Sequence, residues 1–563
     1  MLIGLHATSS EAYHNAMGVE SNELDSCANS ALGGSLAVDK AELCSGTSSI
    51  LDHAVTSELA PDYNHTADSP NTGRPTCFGS TFREVLFVLT ATMGVAMSSI
   101  LAGSVTVISS FIGRDLDMTT AEITWISSAA SLSAGAFLLF FGKIADLFGR
   151  RLMLIGSMLL FSIFALAAGF AKQAITLDVL NGVLGLFSAS SVPPALGLLG
   201  VVYKTPCKRR NYAFACFSAG NPIGFALGAL FGGVAATIFD WRASFWLITI
   251  IFFLLAILGF YTIPKDPTAK EHLDLDTLKR FDLLGVLCVI FGTGMFSAAL
   301  SLGGDASNGW SANYVVVLLV LGVLFIVAFV LWDLRYQHAL VPMQIFKNRN
   351  FSLAMAILAL GFTAFTPGTF FIALYFQDVW HTSPIVTAVY LLPMFIVGLG
   401  INILAGMILH RVSNKLLMWI STISYSIAFL LLAVNREGYS YWALFFPAQV
   451  LIVVAVDLQV NVCTVLTMTS LPQSHQSIAG GILHTIVRLT ATIGFGIATA
   501  LFNGVQRNPT LGAHWDNATQ PFSAVFWFCV ACSALSVFLV PFLTIRTQGG
   551  AEDVDEGAHK IGS

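Results

Sequence analysis

Fourteen apolar runs of about twenty residues each constrain this chain more than any other feature. Their approximate centres are residues 98, 132, 161, 190, 224, 253, 293, 322, 363, 394, 425, 454, 490 and 532. About 20 apolar residues is the length an α-helix needs to cross the hydrocarbon core of a bilayer. There the backbone has no water to bond and must satisfy itself, which a helix does. The runs therefore predict an all-α membrane protein of fourteen transmembrane helices. Composition agrees: only 10% of the 563 residues are charged, whereas a soluble domain carries roughly 25%. The connections between runs are too short to hold a soluble catalytic domain.

The formal net charge of −5 decides nothing, because in a membrane chain charge acts by side. With the N-terminus in the cytoplasm, 21 of the 27 Lys and Arg residues fall in cytoplasmic segments and five on the opposite side. Arg488 lies inside a run. That bias sets the orientation and supports the count, since one missed helix would invert everything after it. Trp125, Trp310, Trp380 and Trp442 fall near the outer ends of runs, where amphipathic rings anchor at the interface. Residues 1–82 are polar, without a run long enough to span or a cleavable signal, and read as a disordered cytoplasmic tail. Residues 546–563 read as a second cytoplasmic tail. None of the nine cysteines falls in an outer loop, so no disulfide framework is expected. Cys529 and Cys532, inside an apolar run, read as packing residues.

The second and third runs are joined by Gly142-Lys-Ile-Ala-Asp146-Leu-Phe-Gly149-Arg150-Arg151. A basic cytoplasmic loop with glycine turns accounts for Arg150 and Arg151, but not for Asp146 at fixed spacing between two glycines. The stretch resembles the signature loop of the major facilitator superfamily. An echo follows the tenth run, Gly406-Met-Ile408-Leu-His410-Arg-Val-Ser413-Asn-Lys415, where a two-half repeat requires it. In the fifth run Gly220, Gly224, Gly228 and Gly232 recur every four residues, with Pro222 and Gly233 beside them. That spacing makes a shallow groove into which a neighbouring backbone can pack. It resembles the glycine-proline motif of the family's antiporters, with Gly228-Ala229 standing where the usual Gly-Pro pair would be.

The fourteen runs, the linker Phe281-Asp282-Leu-Leu-Gly285, Trp125, Tyr375, Gln377 and Pro393 are similar to the fourteen-helix drug:proton antiporter branch, and to fungal exporters of drugs and secondary metabolites. The resemblance covers roughly residues 85–545. It implies a major facilitator fold: a six-helix bundle over 83–263, linkers with two additional helices over 264–350, and a second six-helix bundle over 351–545. It also implies that Asp146, Arg150 and Arg151 latch the cytoplasmic ends of the bundles. Two ionisable residues of the branch are missing. The first run, Leu101-Ala-Gly-Ser-Val-Thr-Val-Ile108, holds no acid, and Asn181 stands in place of an Arg in the fourth.

Coupling then needs another seat. Asp457 and Arg488 lie about ten residues inside the twelfth and thirteenth runs, which at 1.5 Å per residue puts both about 15 Å deep. Spacings of four and eight suggest stripes of Gln449, Asp457 and Asn461 on one helix, and His484, Arg488 and Thr492 on the next. A lone charge at that depth is costly, so each should face a cavity or the other. They read either as a structural ion pair or as a coupling and substrate site, with Asp457 taking the proton. His484, which titrates near neutrality, is a weaker relay candidate.

Asn517-Ala-Thr519 is a glycosylation sequon in an outer loop, whereas Asn64-His-Thr66 should be cytoplasmic and unused. No phosphate loop, metal cluster or catalytic constellation is visible, so no cofactor, nucleic-acid partner or enzymatic role is expected. The expected function is proton-coupled efflux of an apolar or amphipathic small molecule by a monomer, through alternating access. The plasma membrane is the expected site, with a vacuolar or vesicular membrane as the alternative. An uncoupled facilitator or importer stays open, as does a transporter-like sensor.

Overall fold

The computed structural model describes residue 75 and residues 77–203, 208–264, 282–303, 309–336, 346–408, 412–436, 438–469, 476–507 and 518–544. Most of the first predicted tail, the second tail, most of the first linker and the sequon asparagines Asn64 and Asn517 lie outside them, and α1 begins at Thr81, so it takes in residues 81 and 82 of the predicted first tail. Among the described residues there are fourteen long helices and no strand. In chain order these are α1 (Thr81–Asp115), α2 (Thr120–Phe148), α3 (Arg150–Ala168), α4 (Ala174–Val202), α5 (Lys208–Ile238), α6 (Trp241–Thr262) and α7 (Leu283–Gly303). There follow α8 (Asn313–Asp333), α9 (Arg349–Asp378), α10 (Pro384–Ile408), α11 (Asn414–Ala433), α12 (Phe445–Thr469), α13 (Gln476–Arg507) and α14 (Gln520–Leu539). In all but α2 the described residues contain a stretch long and apolar enough to cross a membrane.

Two buried cores organise the helices. One gathers residues of α1–α6 and the other is built mainly from α9–α14, the two six-helix bundles of an all-α major facilitator fold. The bundles meet along α2 against α13 and α5 against α10. The extra pair, α7 and α8, stands beside that junction. The α7 helix packs on both α2 and α13, and Ser297 Oγ donates to the Thr492 carbonyl at 2.8 Å. The α8 helix leans on α7, its Trp332 Nε1 donating at 2.8 Å to Asp282, which also caps α7 through the Gly285 amide. Only 11% of the most apolar stretch of α8 is buried, so its free faces are apolar surface of the kind lipid covers.

The turns follow local chemistry. Thr119 and Glu122 form a capping box that starts α2. Gly149 closes α2 and opens α3 at φ 103°, a conformation costly for any residue with a Cβ. The echo turn differs: Ser413 sits at φ −63° and its hydroxyl accepts from the Leu416 amide to cap α11. At the start of the helix that follows, a side-chain cap stands where the first half has a glycine conformation. At the same end of the first bundle, Glu84 is 5% exposed and accepts from Tyr203 Oη at 2.9 Å and Arg209 Nη1 at 2.6 Å. Burial, then Glu84 itself, hold the Tyr203 phenol above its usual range.

At the end remote from the α2–α3 turn, hydrogen bonds tie the bundles together. Gln377 of α9 accepts from the Ser110 amide and donates to the Thr106 carbonyl, each at 3.0 Å. These two groups of α1 are also partners at the i to i−4 spacing of a helix. Arg114 pairs with Asp378 at 3.1 Å, Ser110 Oγ donates to Asp378, Thr499 bonds Thr124 at 2.9 Å and the Ile385 amide donates to Thr237. Trp380 lies just past the end of α9, at the end of the helix where the sequence places it. It is packed in an aromatic cluster with Tyr375, Phe376, Tyr390 and Phe445, because the α9–α10 turn folds it back onto the bundle. Trp442 is exposed just before α12.

Candidate functional site

A cavity of about 310 Å³ lies between the bundles, walled by α1, α2, α4 and α5 on one side and by α9, α10, α12 and α13 on the other. Its size is at the lower end of small-molecule sites. Phenylalanines from four helices, Phe225, Phe365, Phe395 and Phe495 among them, supply much of the wall, and hydroxyl and amide groups interrupt it. Pro222 also lines it, within a motif whose glycines do something else.

Those glycines form a seam. Gly220, Gly224, Gly228 and Gly232 abut Thr92, Ala96, Ile100 and Ser104, four consecutive turns of α1. A Cβ on Gly224 would lie 2.9 Å from the Ala96 carbonyl oxygen, closer than a real side chain tolerates. Gly103 of α1 answers from the other side, against the Phe225 backbone. Gly233 instead meets Pro384 and Ala388 of α10, in the other bundle. The motif thus holds two helices of one bundle at backbone distance, and so fixes where Asn221 and Pro222 enter the cavity.

Asp457, His484, Arg488 and Asn181 all line the cavity. Asp457 and Arg488 make no ion pair with one another, which removes the locking-pair alternative. Arg488 Nη2 donates to Ser98 Oγ of α1 at 2.7 Å, across the bundles, and Asp457 Oδ2 has no hydrogen-bond partner. Each charge sits against a glycine of a neighbouring helix. A Cβ on Gly135 of α2 would come within 2.8 Å of Arg488 Cβ, and one on Gly398 of α10 within 3.2 Å of Asp457 Oδ2. Asn181 is fully buried, its Nδ2 donating to the Leu177 carbonyl of its own helix at 3.0 Å while Oδ1 has no partner.

The predicted stripes hold only in part. Asn461 bonds Asn402 at 3.2 Å and the Asp457 carbonyl at 2.8 Å, behind the cavity wall. Gln449 is fully buried away from the cavity, both amide atoms without a partner. At about 100° per residue an eight-residue step ends about 80° off the starting face, which is why spacing alone misplaced it. Thr492 is buried too, its hydroxyl donating to the Arg488 carbonyl. Sequence reasoning missed Ser98, Ser99 and Asn221. The Ser99 hydroxyl donates to Asn221 Oδ1 at 2.9 Å on the cavity wall. Asn221 was visible beside Pro222, but as a neighbour of a packing motif.

The signature loop lies at one end of the first bundle. Arg150 Nη1 reaches the Gly197 carbonyl of α4 at 3.5 Å. Arg151 Nη2 donates to the Phe260 carbonyl of α6 at 2.6 Å, and its guanidinium stacks over the Phe260 ring. These bonds stay within the first bundle. Gly142 lies near Pro193. The Asp146 and His410 side chains and Asn517 lie outside the described residues. Cys529 and Cys532 are free and buried in α14.

The family profile described as Major Facilitator Superfamily matches residues 85–434. The chain is 27% identical over 435 residues to the low affinity ammonium transporter of Saccharomyces cerevisiae, covering 76% of this chain and 82% of that one. It is 26% identical over 492 residues to the efflux pump terG of Aspergillus terreus, covering 85% and 91%. Among solved structures, the nucleoside transporter NupG superposes with a TM-score of 0.55 at 13% identity, covering 81% of this chain and 98% of that one.

Proposed function

The chain belongs to the Major Facilitator Superfamily, and from that premise we propose that it is a proton-coupled exporter of apolar or amphipathic small molecules. The observation that carries this reading is the cavity between the bundles. It is mostly apolar, and it holds an acid and a permanent cation that are not paired with each other. Transport needs a site that either side can reach in turn. The cross-bundle hydrogen bonds at the end remote from the α2–α3 turn fit a conformation closed at that end. With both termini in the cytoplasm, this is the state that loads from inside. The protein works as a monomer, in the plasma membrane, and Asn517 is a glycosylation site of its outer face.

Asp457 is the proton acceptor. On protonation its unpartnered oxygen can donate a hydrogen bond and the side chain loses its charge in an apolar wall, so protonation changes the cost of closing the cavity around it. The full-length protein in proteoliposomes, with a pH gradient imposed, tests this. Wild type should accumulate a lipophilic substrate dye several-fold above the collapsed-gradient control. Asp457→Asn should exchange dye at equilibrium as wild type does and accumulate none. Accumulation by Asp457→Asn that still follows the gradient would remove Asp457 as the acceptor.

A second reading is an uncoupled facilitator or importer of a small solute. The neutral, self-bonded Asn181 and an α1 without an acid at the cavity favour it, as does the similarity to an ammonium transporter. Wild-type uptake that stops at equilibrium and is unchanged by collapsing the gradient would support it over the first.

A further inference from the structure

Beside the main cavity lies a recess of about 30 Å³, lined by Ser98, Ser188, Asn221, His484 and Arg488 among its polar groups. Asp457 lines the cavity but not the recess, so the recess holds a permanent cation and no carboxylate. Its uncommitted N–H groups come from Arg488 and Asn221, beside the His484 imidazole, which can donate from one ring nitrogen. The Arg488 guanidinium carries five N–H groups, and its one described bond is to Ser98. Asn221 has its oxygen occupied by Ser99, which leaves the donor nitrogen uncommitted. The recess has room for about one or two water-sized groups. It takes a head group and nothing larger.

We propose that the substrate is an amphipathic organic anion, a carboxylate or phenolate, whose head enters this recess while its apolar body fills the phenylalanine-walled cavity. This rests on the reading of the cavity as the substrate site. Guanidinium and carboxylate match in geometry and charge, and a charge-assisted bond gains strength where water is excluded. Within the recess Arg488 meets no carboxylate, and an anionic head group supplies the close counter-charge that Asp457, on the wall of the main cavity and unpaired with it, does not. In an inside-negative membrane an anion also leaves downhill in potential. Its export therefore asks less of the proton gradient than a cation's would.

Equilibrium binding to the full-length protein in lipid nanodiscs tests this with three probes of one shape: 1-naphthylacetate, 1-naphthylacetamide and 1-naphthylethylamine. Wild type should bind the carboxylate about tenfold or more tighter than the amide, and the amine most weakly. Arg488→Gln should lower carboxylate binding to the level of the amide and leave the amide within about twofold. Arg488→Lys should fall between, and Asn221→Ala should weaken the carboxylate selectively. These two variants and the wild-type ranking stand even if Arg488→Gln fails to fold. Equal binding of carboxylate and amide, a preference for the amine, or a carboxylate preference that survives Arg488→Gln would overturn the inference while leaving the cavity as the substrate site. Binding of none of the three would overturn both.

Discussion

Gly149 and Ser413 occupy equivalent places in the two halves and solve the same turn by different means. Gly149 takes φ 103°, and Ser413 caps its helix at φ −63°. Gly149→Ala should therefore destabilise the protein by at least about 1–2 kcal/mol. Ser413→Gly should cost only a few tenths, roughly the loss of a cap to glycine. Thermal unfolding of the two variants in detergent checks this; equal shifts would mean the turn geometry is not what glycine serves. At the same scale, the charges of Asp457 and Arg488 were legible because a charge inside an apolar run has few bland explanations. That they do not pair was not legible. Pairing depends on where α12 and α13 point their faces, and Gly135 and Gly398 on other helices set that by leaving room.

Among elements, α5 shows how far a spacing can be read. Glycines every four residues promise one groove, and the helix delivers it. The partner could not be read, because any helix with small residues would fit. The answering residue, Gly103 of α1, lies in a run with no comparable pattern. Substituting Gly228 drives a side chain into the Ile100 backbone, and backbone yields less readily than a rotamer. Gly228→Leu should cost about 3 kcal/mol or more and displace Asn221 and Pro222 from the cavity wall, with substrate binding lost alongside stability. Gly156→Ala and Gly200→Ala, where a Cβ meets nothing within 4 Å, should be near neutral in the same unfolding and binding assays. If Gly228→Leu matched these controls, the seam would not position the site.

For the whole molecule, an ion pair and a buried amide are two of the contacts that close the end remote from the α2–α3 turn, and magnitudes separate them. Arg114 and Asp378 are 53% and 39% exposed, so their pair contributes about 0–1 kcal/mol. Gln377 is fully buried and bonds both Ser110 and Thr106. When the bundles part at this end, those two backbone groups have each other as helix partners, so opening leaves no orphan on α1. Gln377→Ala should shift the balance toward the open form by roughly 0.5–1.5 kcal/mol, with little loss of fold stability. A single cysteine at Thr369 on the cavity wall, labelled with an impermeant maleimide from that side, should react several-fold faster in this background. Arg114→Ala should change the rate less than Gln377→Ala does, by at most about fivefold. The reverse order would place the lock in the ion pair.

By itself the chain determined the membrane class, the fourteen helices, the repeat and the presence of costly charges. All of these are written in local length, periodicity and composition, and the bilayer enforces each of them on one segment at a time. Only the tertiary structure decided that Arg488 reaches Ser98 rather than Asp457, that Gln377 bonds the Ser110 amide and the Thr106 carbonyl of α1, and that a carboxylate-free recess adjoins the cavity. These are relations between helices hundreds of residues apart. They follow from how small residues let backbones approach, and no window of sequence contains both sides of such a contact.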